Sequence, residues 1–195
     1  MAHEAKNYDH LKGGAVKGLS DSQLDQHFTL YKGYIGKLNE IEDKLATVDN
    51  TKPNYSFNEY SELKRRECVA FNGAFLHELY FENLGADGDL SAELKGAMDA
   101  QGGQDKLVAD LKACAMGGPG WALLTRNRRD GKLHTYFVAE HHIGLPMDQD
   151  LLVVLDSWEH AFMVDYGIAR AKYLETFVEN LKWSEVSKRF AMAAK

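Results

Sequence analysis

The sequence predicts an α+β protein: a long antiparallel helical hairpin at the N-terminus, then a C-terminal α/β domain with a small, three-stranded, mostly antiparallel sheet. Three observations carry the prediction. Apolar residues recur every three or four positions over two long stretches, from Asp21 to about Val48 and from Ser56 to about Asn83. Short apolar or β-branched runs follow between Trp121 and Leu155. Between the two regimes lies Leu84 to Asp89, rich in Gly and Asp, as a linker should be.

The first helix is read from Leu24, Phe28, Tyr31, Ile35, Leu38, Ile41 and Leu45, with Ser20 or Asp21 as its cap. The polar stretch Asp49 to Tyr55, containing Pro53, breaks it. Ser56 with Glu59 has capping-box spacing for the second helix, and Gly85 is its natural stop. Two long helices joined by a short polar turn pack antiparallel, which gives a domain over residues 1–86. Shorter helices are predicted at Ser91 to Ala100 and Gln104 to Met116, the second ended by Gly117, Gly118, Pro119 and Gly120. Trp121 to Asn127 and Leu133 to Glu140 read as strands joined across Asp130-Gly131, and Leu151 to Leu155 as a third, buried strand. After Asp156 the pattern is helical through the C-terminus, with Trp183 and Phe190 as core anchors. Residues 87–195 form the second domain.

The chain has 195 residues, 45% of them hydrophobic, enough for a packed core. A net charge of -6 with scattered Lys and Arg lacks the basic footprint of a nucleic-acid binder or a membrane-surface helix, so neither partner is expected. The two cysteines, Cys68 and Cys114, sit in apolar helical patterns outside any CxxC pair, as buried thiols in a reducing compartment would. With no apolar leader core and no membrane-length apolar run, the expected location is cytoplasmic.

Among the eight histidines, two lie on predicted buried helix faces. His27 falls with Tyr31, Tyr34 and Leu38 within about 60° of arc on helix 1, where it is either a satisfied core residue or a ligand. His77 ends a face of small residues, Ala70, Gly73 and Ala74, on helix 2. Gly33 and Gly36 in helix 1 suggest close packing between the two helices, since a helix-interior Gly costs about 1 kcal/mol relative to Ala. The most informative segment runs from Leu151 to His160. An Asp directly after a buried strand, with His four residues on, aims a carboxylate and an imidazole at one point. Asp156 is then either a helix cap or a buried carboxylate that needs a cation. Combined, His27, His77, Asp156 and His160 form a three-His, one-carboxylate set that suits Fe, Mn or Zn.

Asp156-Ser-Trp-Glu-His-Ala-Phe162 resembles the signature of the iron/manganese superoxide dismutases, D-x-W-E-H-A followed by F or Y. Gly118-Pro-Gly-Trp-Ala-Leu-Leu124 resembles the family's G-S-G-W-A-W-L stretch, and Asn72-Gly73 through His77-Glu-Leu-Tyr-Phe81 its second-ligand helix. Trp183 falls where its N-W would. The resemblance implies one Fe or Mn ion per subunit, held between the two domains by His27, His77, Asp156 and His160, with solvent as fifth ligand. It implies disproportionation of superoxide to oxygen and hydrogen peroxide. Tyr34 matches the gateway tyrosine that relays protons, and His141 the outer-sphere residue, usually Gln, that orients the bound solvent. Trp121 would wall the site, and Glu159 would cross the interface of a homodimer, or a dimer of dimers, to the other subunit's His160.

The chain departs from the pattern in places. The usual second histidine of the first-ligand helix and its cross-dimer tyrosine read Tyr31 and Met163. The spacing from His27 to Tyr34 is one residue short, so either helix 1 lacks a local bulge or Tyr31 partly replaces Tyr34. Phe81 stands for the usual tryptophan. Gly73 fits a manganese-like layout while His141 occurs with iron and with mixed use, so the metal is left as Fe or Mn. The competing reading is a metal-binding, catalytically weak structural or interaction protein on the same fold, and a third is a hydrolytic zinc protein.

Overall fold

The computed structural model describes residues 2–193; Met1 and residues 194–195, the outer ends of the two predicted domains, lie outside the described residues. Helix α1 spans Asp21–Leu45 and is capped by Ser20, whose hydroxyl accepts from the Gln23 N–H at 3.1 Å. Its buried stripe is Leu24, Phe28, Tyr31, Ile35, Leu38 and Ile41, with Gln23 and His27 as the polar members. The helix ends at Leu45, short of the expected Val48, because the last residues tighten into a turn in which Thr47 N bonds Lys44 O.

Helix α2 spans Glu59–Glu82 and packs along α1. Its cap is Asn58, not Ser56: the Asn58 carboxamide accepts from Ser61 N at 3.1 Å. Gly85, at φ 106°, lets the chain turn away after it. Ala70, Gly73, Ala74 and His77 face α1, as their spacing predicts. Gly33 and Gly36 do not. A Cβ at either would meet nothing within 4 Å, so they lie on the outer face of α1 and do not mediate the helix contact. The close approach is at Gly73, where a Cβ would meet the Tyr34 ring at 2.6 Å. Neither thiol is buried as expected: Cys68 is exposed and Cys114 half-buried. Cys68 lies about 200° around α2 from the buried Ala70, on the face turned outward.

Helices α3 (Ala92–Asp99) and α4 (Gln104–Ala115) lead to strands β1 (Trp121–Asn127), β2 (Leu133–Val138) and β3 (Gln149–Asp156). The sheet order is β2-β1-β3 with both pairings antiparallel. The central strand is the most buried, from Trp121 through Thr125, which suits its apolar run. Register places the first residue of β1 beside the last residue of β3, Trp121 opposite Asp156. Beyond Asp156 the chain is not one continuous helix. A 3-10 turn (Glu159–Ala161) and the short α5 (Met163–Tyr166) precede α6 (Arg170–Glu179) and α7, described as Trp183–Ala193.

One apolar core joins α1, α2, the sheet and the C-terminal helices, and includes Phe28, Phe81, Trp121, Val153, Phe177 and Phe190. Trp183 packs against it half-buried. Each such large side chain contributes on the order of 1.5–3 kcal/mol on burial, far more than any single hydrogen bond at the surface. A second, small cluster of Leu38, Ile41 and Ala70 holds the outer end of the hairpin. No described helix is long and apolar enough to cross a membrane.

Candidate metal centre

Four side chains from four places in the chain meet at one point. His27 comes from the second turn of α1, His77 from α2, Asp156 from the end of β3, and His160 from the 3-10 turn after it. Their ligand atoms all lie within 4.8 Å of one another, the one such cluster among the described residues. Asp156 Oδ2 is the hub. It lies 3.2 Å from His27 Nε2, 3.0 Å from His160 Nε2 and 3.6 Å from His77 Nε2. His27, His77 and Asp156 are fully buried, while the His160 side chain is 29% exposed.

The surroundings aim these groups. The other carboxylate oxygen of Asp156 accepts from the Trp158 backbone N–H at 2.9 Å, which points Oδ2 inward. The Asp156 carbonyl accepts from the Tyr173 hydroxyl at 2.7 Å. His77 donates from Nδ1 to the Gly73 carbonyl at 2.5 Å, leaving the Nε2 lone pair turned to the cluster. The His160 carbonyl accepts from the Gln23 carboxamide at 2.6 Å.

Electrostatics favour a cation at the convergence. Burial pushes the His77 imidazole down to about 3 and lowers His27 as well, so both are neutral donors at ordinary pH. Burial alone would raise Asp156, but the His160 and His27 imidazoles beside it win and hold the carboxyl well below its usual range. His160 is moved the other way, with burial opposed and outweighed by the Asp156 charge. A buried carboxylate facing neutral imidazole lone pairs is the donor set of a mononuclear transition-metal site. Imidazole and carboxylate suit Fe and Mn. The residues fit the ion.

The other predicted site residues stand around this point. His141 lies in the loop after β2, with Nδ1 accepting from Trp121 Nε1 at 2.9 Å and Nε2 at 2.5 Å from the Tyr34 hydroxyl. The Tyr34 ring lies beside His77, with centroids 5.3 Å apart, and Trp121 meets the same imidazole edge-on at 5.0 Å. Tyr31 points elsewhere. Its hydroxyl donates to Glu78 at 2.8 Å and accepts from the Lys6 N–H at 3.0 Å, so Tyr34, not Tyr31, faces the cluster. Helix α1 runs unbroken from Asp21 to Leu45, which resolves the short spacing in favour of a missing bulge. Glu159 is half-exposed, with Arg170 at 3.6 Å.

Sequence reasoning missed the groups that position the site. Asn72 donates to the His141 carbonyl at 2.9 Å, and Gln23 and Tyr173 hold the backbone at His160 and Asp156. Their contacts span 17 to 137 residues, and no local pattern marks them. The remaining histidines lie apart: His3 pairs with Glu42 at 3.0 Å, His134 with Asp130 at 2.9 Å, His10 is exposed, and His142 follows His141 in the loop.

Hairpin, sheet and cluster together define a protein with a largely buried three-histidine, one-carboxylate cluster able to hold a single metal ion. Residues 90–189 match the model of the iron/manganese superoxide dismutases, C-terminal domain. The chain is 38% identical over 200 residues to superoxide dismutase (Fe) of Aquifex pyrophilus, covering 99% of this chain and 94% of that protein. It is 36% identical over 186 residues to superoxide dismutase (Fe) of Cupriavidus metallidurans, covering 92% of each. To superoxide dismutase (Mn) of Mycobacterium avium it is 30% identical over 172 residues, covering 86% of this chain and 80% of that protein. The chain belongs to the iron/manganese superoxide dismutase family.

Proposed function

We propose that His27, His77, Asp156 and His160 hold one Fe or Mn ion per subunit and that the chain disproportionates superoxide there. The observation that carries this reading is the convergence of three imidazole nitrogens on a single buried carboxylate oxygen. When bound, the ion supplies one-electron redox chemistry that turns two superoxides and two protons into oxygen and hydrogen peroxide. The protein's own groups admit the anion and deliver the protons. His160 is the ligand with solvent exposure, so superoxide enters on its side; the half-buried Tyr34 lies against His77, the imidazole stacked with His160. Tyr34 is the proton donor, with its hydroxyl held by His141. Trp121 walls the site and orients His141 through its indole N–H.

The hairpin (residues 1–86) and the α/β part (residues 87–195) act as two domains, each giving two ligands, so that the site depends on their seam. A homodimer, or a dimer of dimers, is supported by the exposed Met163, Val164 and Ile168 beside Glu159. In it Glu159 reaches the second copy's His160. Glu159→Ala would then yield monomers in sedimentation, with faster metal loss. The free thiols are consistent with a cytoplasmic setting.

The test compares superoxide consumption by metal-loaded protein with that of His77→Ala after the same loading. Loss of both metal and activity in the variant is the expected result; equal activity in the two samples would overturn the proposal.

A further inference from the structure

Between His160 and Val164 the helical hydrogen bond is missing, and a side chain from another helix occupies its place. Residues four apart would bond N–H to carbonyl in an α-helix. Here the Gln23 carboxamide stands between them: its Nε2 donates to the His160 carbonyl at 2.6 Å and its Oε1 accepts from the Val164 N–H at 3.0 Å. Gln23 is buried, one helical turn before His27 on α1, and both ends of its amide are used in this bridge. A side chain inserted into the i to i−4 ladder splits a helix. The chain is split at this point, into the 3-10 turn that carries His160 and the separate α5.

We infer that Gln23 is a positioning residue of the metal centre: it keeps the His160 turn from winding into α5 and so sets the direction of that imidazole relative to His27. Without the wedge, Val164 N–H is free to bond the His160 carbonyl directly, which extends α5 backward and rotates the ligand. The inference rests on the ligand set proposed above. A neighbouring contact separates it from a mere clamp between segments. Ser20 also ties the start of α1 to this region, by its N–H and hydroxyl to the two Asp165 carboxylate oxygens, both at 2.6 Å, but it touches nothing on His160.

The experiment uses the metal-loaded, full-length protein and four samples: wild type, Gln23→Met, Gln23→Glu and Ser20→Ala. The readouts are metal release to a chelator, the electron paramagnetic resonance and visible spectra of the bound ion, and thermal unfolding. Gln23→Met keeps the volume and removes both bonds; Gln23→Glu keeps the acceptor for Val164 and loses the donor to His160, so either one that folds decides the question. Gln23 variants should shift the spectra and release metal roughly 10–100-fold faster, the effect of losing an outer-shell partner. Ser20→Ala should lower the unfolding temperature and leave spectra and release unchanged. Spectra and release in the Gln23 variants equal to wild type, or moved as far by Ser20→Ala, would overturn the inference. A wild type that retains no metal would instead overturn the ligand assignment.

Discussion

The Trp121 indole N–H donates to His141 Nδ1 at 2.9 Å, and this contact dictates what the other imidazole nitrogen does. An indole can only donate, so Nδ1 must accept. Burial pushes the His141 pKa down, so the ring is neutral and carries its proton on Nε2, 2.5 Å from the Tyr34 oxygen. Tyr34 therefore accepts from His141 and keeps its own hydrogen for substrate or solvent.

Trp121→Phe removes the donor and lets His141 take the other tautomer, which would claim the Tyr34 hydrogen. The expected result is a loss of turnover of roughly 10–100-fold with metal content unchanged. Stopped-flow superoxide decay alongside metal analysis checks it. Undiminished turnover would show that the tautomer is immaterial.

The phenol of Tyr34 is pushed above its ordinary value of 10.0, chiefly by burial and further by the charges of Asp156 and Glu140. A raised pKa means that the proton is held further into alkaline conditions. The decline of turnover due to Tyr34 ionisation is thus displaced to more alkaline pH than an exposed phenol would give. Tyr34→Phe should lack that decline and run about 10²–10⁴-fold slower wherever proton delivery limits the rate. A pH–rate profile identical to wild type would remove Tyr34 from the mechanism.

Glycines on the two hairpin helices should respond in opposite directions. Gly73→Ala drives a methyl into the Tyr34 ring, 2.6 Å away, and should cost about 1–3 kcal/mol while displacing the phenol from His141. Gly33→Ala adds a methyl to open space on a helix interior and should stabilise by up to about 1 kcal/mol. Thermal unfolding of both variants decides it. Destabilisation by Gly33→Ala would mean that this face is covered in the assembled protein.

The contrast shows what the sequence could express. Periodicity located the α1 stripe from Leu24 to Ile41, because burial repeats with the turn of the helix. The cluster's C-terminal half was legible because Asp156 and His160 are four residues apart. A glycine, however, marks only a missing side chain, and nothing in Gly33, Gly36 or Gly73 says which one meets a neighbour. The hairpin register was equally silent, so the choice between Tyr31 and Tyr34 needed three dimensions. Gln23 and Asn72 act across 137 and 69 residues, and β3 starts at the polar Gln149 and Asp150, outside the apolar run that announced it.

Tyr31 bears on alkaline stability. Burial pushes its phenol up to about 12, with the Glu78 partner raising it further and the Lys6 N–H opposing. A group whose folded pKa is raised stabilises the fold fully below its unfolded value, and that share is lost as pH rises through the folded one. For Tyr31 the window is pH 10 to 12. Tyr31→Phe should cost roughly 1–2 kcal/mol at neutral pH through the two lost hydrogen bonds, and should lose less stability than wild type across that window. Urea unfolding at pH 8, 10 and 11.5 measures both. Parallel curves for the two proteins would contradict the shift.

Metal should widen the stability gap between wild type and Asp156→Asn. In the metal-free protein the Asp156 carboxylate is fully buried, and the His160 and His27 imidazoles beside it hold its pKa well below the usual carboxylate range, so the folded state favours the ionised form. A depressed folded pKa contributes stability above the unfolded value, lost as pH falls through the folded one. Asparagine retains an oxygen to accept from the Trp158 N–H but removes that charge and leaves His160 without its anionic partner, so metal-free Asp156→Asn should unfold below metal-free wild type at neutral pH. With metal the gap grows, because an ion that binds only the folded state stabilises it by about 4 kcal/mol at a thousandfold excess over Kd, and Asp156→Asn has lost the anionic ligand. Thermal unfolding of both proteins, chelator-stripped and then reloaded with Fe or Mn, gives the four values. If the gap were the same in both states, the carboxylate would be a structural anchor of the β3 end rather than a ligand of the metal.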